Sequence, residues 1–323
     1  MKAIQRISLG KSRSALELID VPDITAASPG CVVIEMQYSP IDHCDLRPSR
    51  AVIDSLEAQT IAGTEGVGKV IMVGDVSDEM LLGRMVIAPA SGIWVERVAV
   101  PSHQLSALPD VDPLQLSMLR VNPSAAWLLL SEFVPLNAGD WIIQNAANSG
   151  VGRAIIGFAS TRGIRTINLV RRAEVIEEID ELAGDFVFLD RDEGIIRAVE
   201  SAQGAPIRLA MDAVGGDATA RLARALSPGG TLVSYAYMAK REAPADLRPL
   251  LSKGLHLSSF CLADSRYETK LPSLIAASAK LLADKKLHIP VAAVYPASEF
   301  ARAAAHAIEG GKILLDLRPG RWV

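Results

Sequence analysis

At 323 residues the chain is long for one simple domain, and two domains are the natural expectation. Half of its residues are apolar and 22% are charged, which excludes a disordered chain. A formal net charge of -4 removes the electrostatic case for nucleic acid or an anionic membrane as the main partner. The sequence opens on MKAIQRISLG, which reads as a first strand and lacks the long apolar core of a signal peptide. The runs CVVIEMQYSPID, GVGKVIMVG, RMVIA and WVERVAVP follow, each bounded by Gly, Pro, Asp or Ser, and they predict a compact strand-dominated domain built as a small barrel. Near Asp110 the texture changes. PLQLSMLRVNPSAAWLLLSEF predicts a helix, and from Asp140 strands and helices alternate through WIIQNAA, VGRAIIGFASTRG, RTINLV, FVFLD, IRLAMDAVGG, DATARLARALSPGG and TLVSYA. Such alternation predicts a parallel sheet with crossover helices, an α/β doubly wound architecture. After Phe260 come a helix, the strand HIPVAAVYP, another helix and a closing strand KILLDLRP, a tail expected to return to the first part. No stretch approaches a transmembrane helix, and Cys31, Cys44 and Cys261 form no CxxC, so neither a disulfide framework nor a zinc knot is expected. The expectation is a soluble cytoplasmic protein.

The segment QNAANSGVGR, Gln144 to Arg153, follows the strand DWIIQNA and opens the helix VGRAIIGFAS, the setting that a dinucleotide-binding turn requires. Read as GxxGxxG, its key positions are Ala146, Ser149 and Gly152. Small residues there let the chain turn tightly, and the helix N-terminus then offers free N–H groups to a pyrophosphate. An ordinary tight strand-to-helix turn would use the same residues. The next strand, RTINLV, ends in Arg171 and Arg172 about twenty residues past the turn, where an NAD-preferring site places an acid for the ribose 2′-hydroxyl. Two guanidinium groups suit a 2′-phosphate through forked, charge-assisted hydrogen bonds and point to NADPH. The plainer reading is a solvated basic strand end that pairs with Glu174 or Glu177.

Residues 121–172, VNPSAAWLLLSEFVPLNAGDWIIQNAANSGVGRAIIGFASTRGIRTINLVRR, resemble the cofactor half of the 2-enoyl thioester reductases of mitochondrial type, in the zinc-free branch of the medium-chain dehydrogenase/reductase superfamily, whose relatives include quinone oxidoreductases. GGTLVSYAYMAK, KGLHLSSFCL and the late GKILL fit the same template, and PIDHCDL, GTEGVGKVIMVG and GIW agree more loosely. The resemblance implies a GroES-like catalytic domain over 1–115, a Rossmann domain over 116–265, and a segment 266–323 that returns to the catalytic domain, as a homodimer. It implies NADPH giving its hydride to the β-carbon of a conjugated carbonyl. It places Asn122 near the nicotinamide end and makes Asn148, Ser149, Gly150 and Val151 the pyrophosphate turn. Arg171 and Arg172 hold the 2′-phosphate, with Ala173 replacing a further basic residue. Tyr235 to Met238 and Phe260 to Leu262 run along the cofactor, and Lys312 is a late lysine that reaches the site. Two departures stand out. The segment LRPSRAVIDSLEAQT, where the family carries its catalytic tyrosine, has none, and Ile53 or a neighbour falls at the place. YAYM replaces the usual YGGM, which puts a bulky Tyr237 where free space is expected.

A conjugate reduction needs a hydride donor, a polarised carbonyl and a proton for the α-carbon. Tyr237 is one candidate proton donor, against an aromatic packed beside the nicotinamide. His43 and Asp45, in the PIDHCDL turn, are others; an imidazole is a side chain that can donate a proton near neutral pH, against a buried histidine satisfied by a hydrogen bond. Cys44 is a nucleophile only with a lowered pKa and otherwise a small buried thiol. Trp94 is expected on the cleft wall and Tyr38 in the core. Zinc is not expected: Asp42 and Thr64 stand where zinc-dependent relatives need cysteine and histidine. Arg47, Arg50 and Arg241 are candidates for the phosphates of CoA, or solvated surface charges. The function expected is reduction of an activated double bond in a small-molecule substrate such as a CoA thioester. The alternatives are a quinone or enone reductase and an NADPH binder without turnover.

Overall fold

The structure, a computed structural model, describes residues 1–10, 13–46, 59–88, 91–182, 184–238 and 248–323. The chain divides into two compact units, Met1–Val121 with Leu271–Val323, and Asn122–Lys270.

The first unit is built of short strands. β1 (Lys2–Gly10) lies antiparallel between β2 (Arg13–Asp20) and β4 (Gln59–Ile61). A second sheet is centred on the long β3 (Cys31–Pro40), which pairs antiparallel with β5 (Val67–Val73) and with β7 (Arg97–Pro101). β5 continues to β6 (Met85–Ile87). The chain's last strand, β15 (Lys312–Asp316), joins the far end of β3 in the register Leu314 to Pro40, and β14 (Val291–Pro296) pairs parallel with it. This is the arrangement of a GroES-like domain. Ile4, Val32, Ile34, Met36, Trp94, Ile313 and Leu315 form its core, each large side chain contributing about 1.5–3 kcal/mol of burial. Trp94 is 1% exposed and belongs to this core, not to a cleft wall, because its indole N–H finds a buried acceptor in Ser39 at 2.8 Å. Tyr38 is buried in β3 as expected of a core residue.

The second unit is an all-parallel sheet of six strands: β8 (Trp141–Gln144), β9 (Arg165–Val170), β10 (Phe186–Leu189), β11 (Ile207–Asp212), β12 (Thr231–Ser234) and β13 (His256–Ser259). The spatial order is β10-β9-β8-β11-β12-β13. In order along the chain that is 3-2-1-4-5-6, the Rossmann order, and it reverses between β8 and β11, where such sheets open a crevice for a ligand. β8 is buried at every position, as a strand covered on both faces must be. The longer helices among the described residues are α1 (Asn122–Ser131), α2 (Gly150–Thr161), α3 (Asp192–Ser201) and α4 (Asp217–Ala225) in this unit, with α5 (Leu271–Ala283) and α6 (Phe300–Glu309) in the first.

The helix expected over 113–133 is broken. A short helix, Pro113–Leu116, capped by the Asp112 carboxylate, gives way to turns, and the chain becomes helical again at Asn122. Pro123 has no N–H to give to the preceding turn and biases Asn122 away from a helix interior, so the helix restarts there with proline in its first turn.

Candidate functional site

The turn after β8 has the form that its residue sizes require. Ser149 is the N-cap of α2, and its Oγ accepts from Gly152 N at 3.1 Å. A Cβ on Gly152 would lie 2.6 Å from the Ala147 carbonyl oxygen, so only glycine lets the helix sit this close to the turn. A Cβ on Gly150 would lie 2.8 Å from Asn122 Oδ1, so the Asn122 side chain occupies the space that a larger residue would need. Ala146, at the first position of the GxxGxxG reading, adopts φ 48°. That left-handed conformation costs a non-glycine residue on the order of 1 kcal/mol.

Side chains beneath the turn fix it. Gln144 Nε2 donates to the Gly152 carbonyl at 3.0 Å and to Asn168 Oδ1 at 2.8 Å. The buried Arg153 donates from Nε to the Asn148 carbonyl at 3.2 Å and pairs with Glu178 at 2.5 Å. Asp212, fully buried at the end of β11, accepts on Oδ1 from Asn145 Nδ2, Val214 N and Gly215 N, and on Oδ2 from the Thr219 hydroxyl. Asn145 in turn accepts from Ala213 N at 2.8 Å. The ends of β8 and β11 are therefore stitched together where the strand order reverses. None of Gln144, Asn145, Arg153 and Asp212 stood out in the sequence, although QN directly ahead of the turn is the trace of two of them.

Around this edge the unit gathers Asn122, Asn148, Ser149, Gly150, Val151 and Tyr235. The Tyr235 hydroxyl is buried and faces Ser149 without completing a hydrogen bond. Burial pushes its pKa well up, so the phenol keeps its proton. Tyr237 is 46% exposed, and its ring lies over Gly215, where a Cβ would approach it to 2.3 Å. Met238 N bonds to the Ala213 carbonyl. Phe260 is buried between the rings of Phe133 and Tyr267, so its side chain packs within the unit, while Leu262 is half-buried and Cys261 exposed. Arg171 and Arg172 follow β9 and are both exposed. Among the described residues neither pairs with Glu174 or Glu177.

His43, Asp45 and Lys312 lie in the first unit. Asp42, Asp45 and Glu65 are buried together, and Lys312 Nζ lies 2.6 Å from Asp42 Oδ1. Glu65 shares a side-chain hydrogen bond with Asp42 and accepts from Val121 N on Oε2 at 2.7 Å. Burial first, then the charge of Asp42, lifts Glu65 well above the ordinary carboxylate range. The same two causes push Asp45 up to about 7. Burial alone would lower the Lys312 ammonium, but Asp42 and Glu65 more than reverse it, and it stays charged. One lysine thus balances a carboxylate group that carries protons at neutral pH. Arg6 donates to the Asp45 backbone carbonyl.

Two expectations are corrected in this region. His43 is exposed at the start of the short helix His43–Leu46, not a buried structural histidine. Cys44 is likewise exposed; desolvation by the packing beneath it, then the charges of Asp45 and Asp42, push its thiol up, so it stays protonated. Arg47, Arg50, Ile53 and Arg241 lie outside the described residues. Among the described residues no group of three or more His, Cys, Asp or Glu is arranged to hold a metal ion.

A family model described as zinc-binding dehydrogenase matches residues 150–277. The enoyl-[acyl-carrier-protein] reductase, mitochondrial, of Rattus norvegicus is 34% identical over 249 residues, covering 74% of this chain and 67% of that protein. The protein of the same name from Dictyostelium discoideum is 30% identical over 334 residues, covering 98% and 95%. Among solved structures, a Bacillus thuringiensis protein assigned as an NADPH:quinone reductase superposes with a TM-score of 0.84 at 22% identity, covering 98% of both chains. The complex of Etr1p with NADP and crotonyl-CoA superposes with a TM-score of 0.81 at 20% identity, covering 98% of this chain and 99% of that one.

Proposed function

This chain belongs to the enoyl-[acyl-carrier-protein] reductase family of the medium-chain dehydrogenase/reductase superfamily, and on that premise we propose that it is an NADPH-dependent reductase of 2-enoyl thioesters. The observation that carries the reading is the turn at Asn148–Val151: a tight strand-to-helix turn whose Gly150 and Gly152 leave no room for a Cβ against Asn122 and Ala147, at the switch point of the sheet, with two exposed arginines at the end of the next strand. The complex of Etr1p with NADP and crotonyl-CoA shares this fold and supports a CoA or acyl-carrier thioester as substrate.

When bound, NADPH supplies the hydride for the β-carbon of the conjugated carbonyl. The residues of this chain do the rest. Gly150 N and Val151 N, at the start of α2, take the pyrophosphate, and the helix dipole favours its charge. Arg171 and Arg172 take the 2′-phosphate. Asn122, held against Gly150, sets the nicotinamide end. The α-proton comes from an exposed acid, and His43 and Tyr237 are the two described candidates. Asp45, although half protonated near pH 7, is 2% exposed. No zinc takes part in this reading, because Lys312 already supplies the cation against Asp42, where a zinc ligand would stand.

A second reading, reduction of quinones or enones, is favoured by the absence of tyrosine from LRPSRAVIDSLEAQT, since such acceptors can take their proton from water. NADPH oxidation measured side by side with crotonyl-CoA, a simple quinone and an α,β-unsaturated ketone separates the two. Turnover of the thioester, abolished by His43→Ala or Tyr237→Phe, supports the first reading and identifies the donor. Turnover of quinone or enone alone supports the second, and tight NADPH binding with no turnover of any acceptor overturns both.

A further inference from the structure

Glu65 has no part in the chemistry above, yet it is 0% exposed and held from every side. Its backbone carbonyl accepts from the Ser39 hydroxyl at 2.6 Å, and Ser39 is fixed by the Trp94 indole. The flanking glycines leave the turn no freedom. Gly63 sits at φ 95° with Trp94 Cδ1 only 2.3 Å from where a Cβ would be, and a Cβ on Gly66 would lie 2.8 Å from the Tyr38 carbonyl oxygen. From this anchored turn the side chain reaches Asp42, itself paired with Lys312, and the N–H of Val121.

Val121 is the last residue of the first unit, and Asn122 is the first residue of the second. Pro123 follows, so the chain enters α1 through a stiff Asn-Pro step. The Asn122 side chain then fills the space above Gly150. A covalent and hydrogen-bonded path therefore runs from Lys312 through Asp42 and Glu65 to the amide of Val121, and along the chain through Asn122 to the turn.

We propose that Glu65 is a positioning residue for the cofactor turn: by holding the Val121 N–H it fixes the chain one residue ahead of Asn122, whose side chain meets Gly150. The inference rests on the reading that this turn binds NADPH. Glu65 meets the demands of the role with one acceptor oxygen for Val121 and one hydrogen bond to Asp42. Glutamine can meet both with its carbonyl and its amide, whereas aspartate is one methylene too short to reach Val121 from the same anchored turn.

The test is NADPH affinity, followed by the fluorescence of the bound nucleotide in the full chain at a temperature where each variant is folded. Glu65→Gln keeps the affinity within about twofold, while Glu65→Asp weakens it about tenfold, the size of a typical coupling between linked sites. A merely structural role for Glu65 would be independent of Asn122. A double-mutant cycle separates the two cases: with Asn122→Ala already present, Glu65→Asp costs no further affinity if it acts through Asn122. Wild-type affinity in Glu65→Asp, or additive losses in the cycle, overturns the proposal and leaves the NADPH reading intact. A wild-type protein that binds no NADPH overturns both.

Discussion

Arg171 and Arg172 stand exposed past β9, and among the described residues no carboxylate pairs with them, so a dianionic 2′-phosphate displaces no ion pair described there. A hydrogen bond to a charged group contributes about 1.5–3 kcal/mol, or roughly tenfold to a hundredfold in affinity. Replacing both arginines with alanine is expected to lower kcat/KM for NADPH by at least about a hundredfold, while kcat/KM for NADH stays within a few-fold of wild type. Steady-state kinetics with the two nucleotides checks it, and a retained NADPH preference would move the 2′-phosphate contact elsewhere. Both arginines are legible in the sequence because a strand end about twenty residues past the turn is a local, countable position. Whether they are free is not legible, since Glu174 and Glu177 are equally close along the chain.

The strand, turn and helix made by β8, QNAANSGVGR and α2 are legible as a unit because each signal is local: a buried apolar run, small residues, an N-capping serine. The buried polar residues that hold this unit to its neighbour are not legible. Asn145 and Asp212 are 67 positions apart, and nothing in either local sequence announces the other. Asp212 satisfies four donors at once, two of them backbone N–H groups of the turn that follows β11. Asp212→Ala orphans all four in a dry site, and with about 1–3 kcal/mol for each unsatisfied buried donor even partial relaxation leaves a loss of several kcal/mol. Asp212→Asn keeps the Oδ1 acceptor, so most of that loss is expected to be recovered. Chemical denaturation of the two variants checks the order, and equal stability would show that Asn145, not Asp212, ties the two strands. The same blindness to long-range partners explains the helix expected over 113–133. Its apolar pattern is continuous, and the break at Ser117–Val121 follows from Pro123 and from an N–H given to Glu65, far back in the chain.

At the scale of the whole chain, the first unit is closed by its last strand. β15 returns to pair with β3 and delivers Lys312 to Asp42, 270 residues earlier. A tail that returns can be expected from a closing strand with no partner nearby. The charge pairing cannot, because Asp42, Glu65 and Lys312 come from three segments whose periodicity says nothing of one another. Removing one partner of a buried pair typically costs about 3–5 kcal/mol, since the remaining charge stays desolvated. Lys312→Met takes the only ammonium described beside Asp42 out of a group in which burial already raises Asp45 to about 7 and holds Glu65 above the usual range. The sign of the pH dependence follows. Without the lysine, the folded-state pKa values of these carboxyls rise further above their unfolded values, so the folded form binds more protons than the unfolded form between about pH 4 and pH 8. The variant therefore loses stability as pH rises through that range and regains it on acidification. The wild-type lysine stays charged throughout, because its own pKa is raised from an already high value, so its contribution grows as the carboxyls beside it ionise with rising pH. Thermal unfolding of both proteins from pH 5 to pH 8 is expected to show a Tm gap that is widest at pH 8 and narrows steadily towards pH 5. A gap that does not change with pH would mean that Lys312 stabilises by packing its alkyl chain, and that the carboxylates beside it were never short of protons.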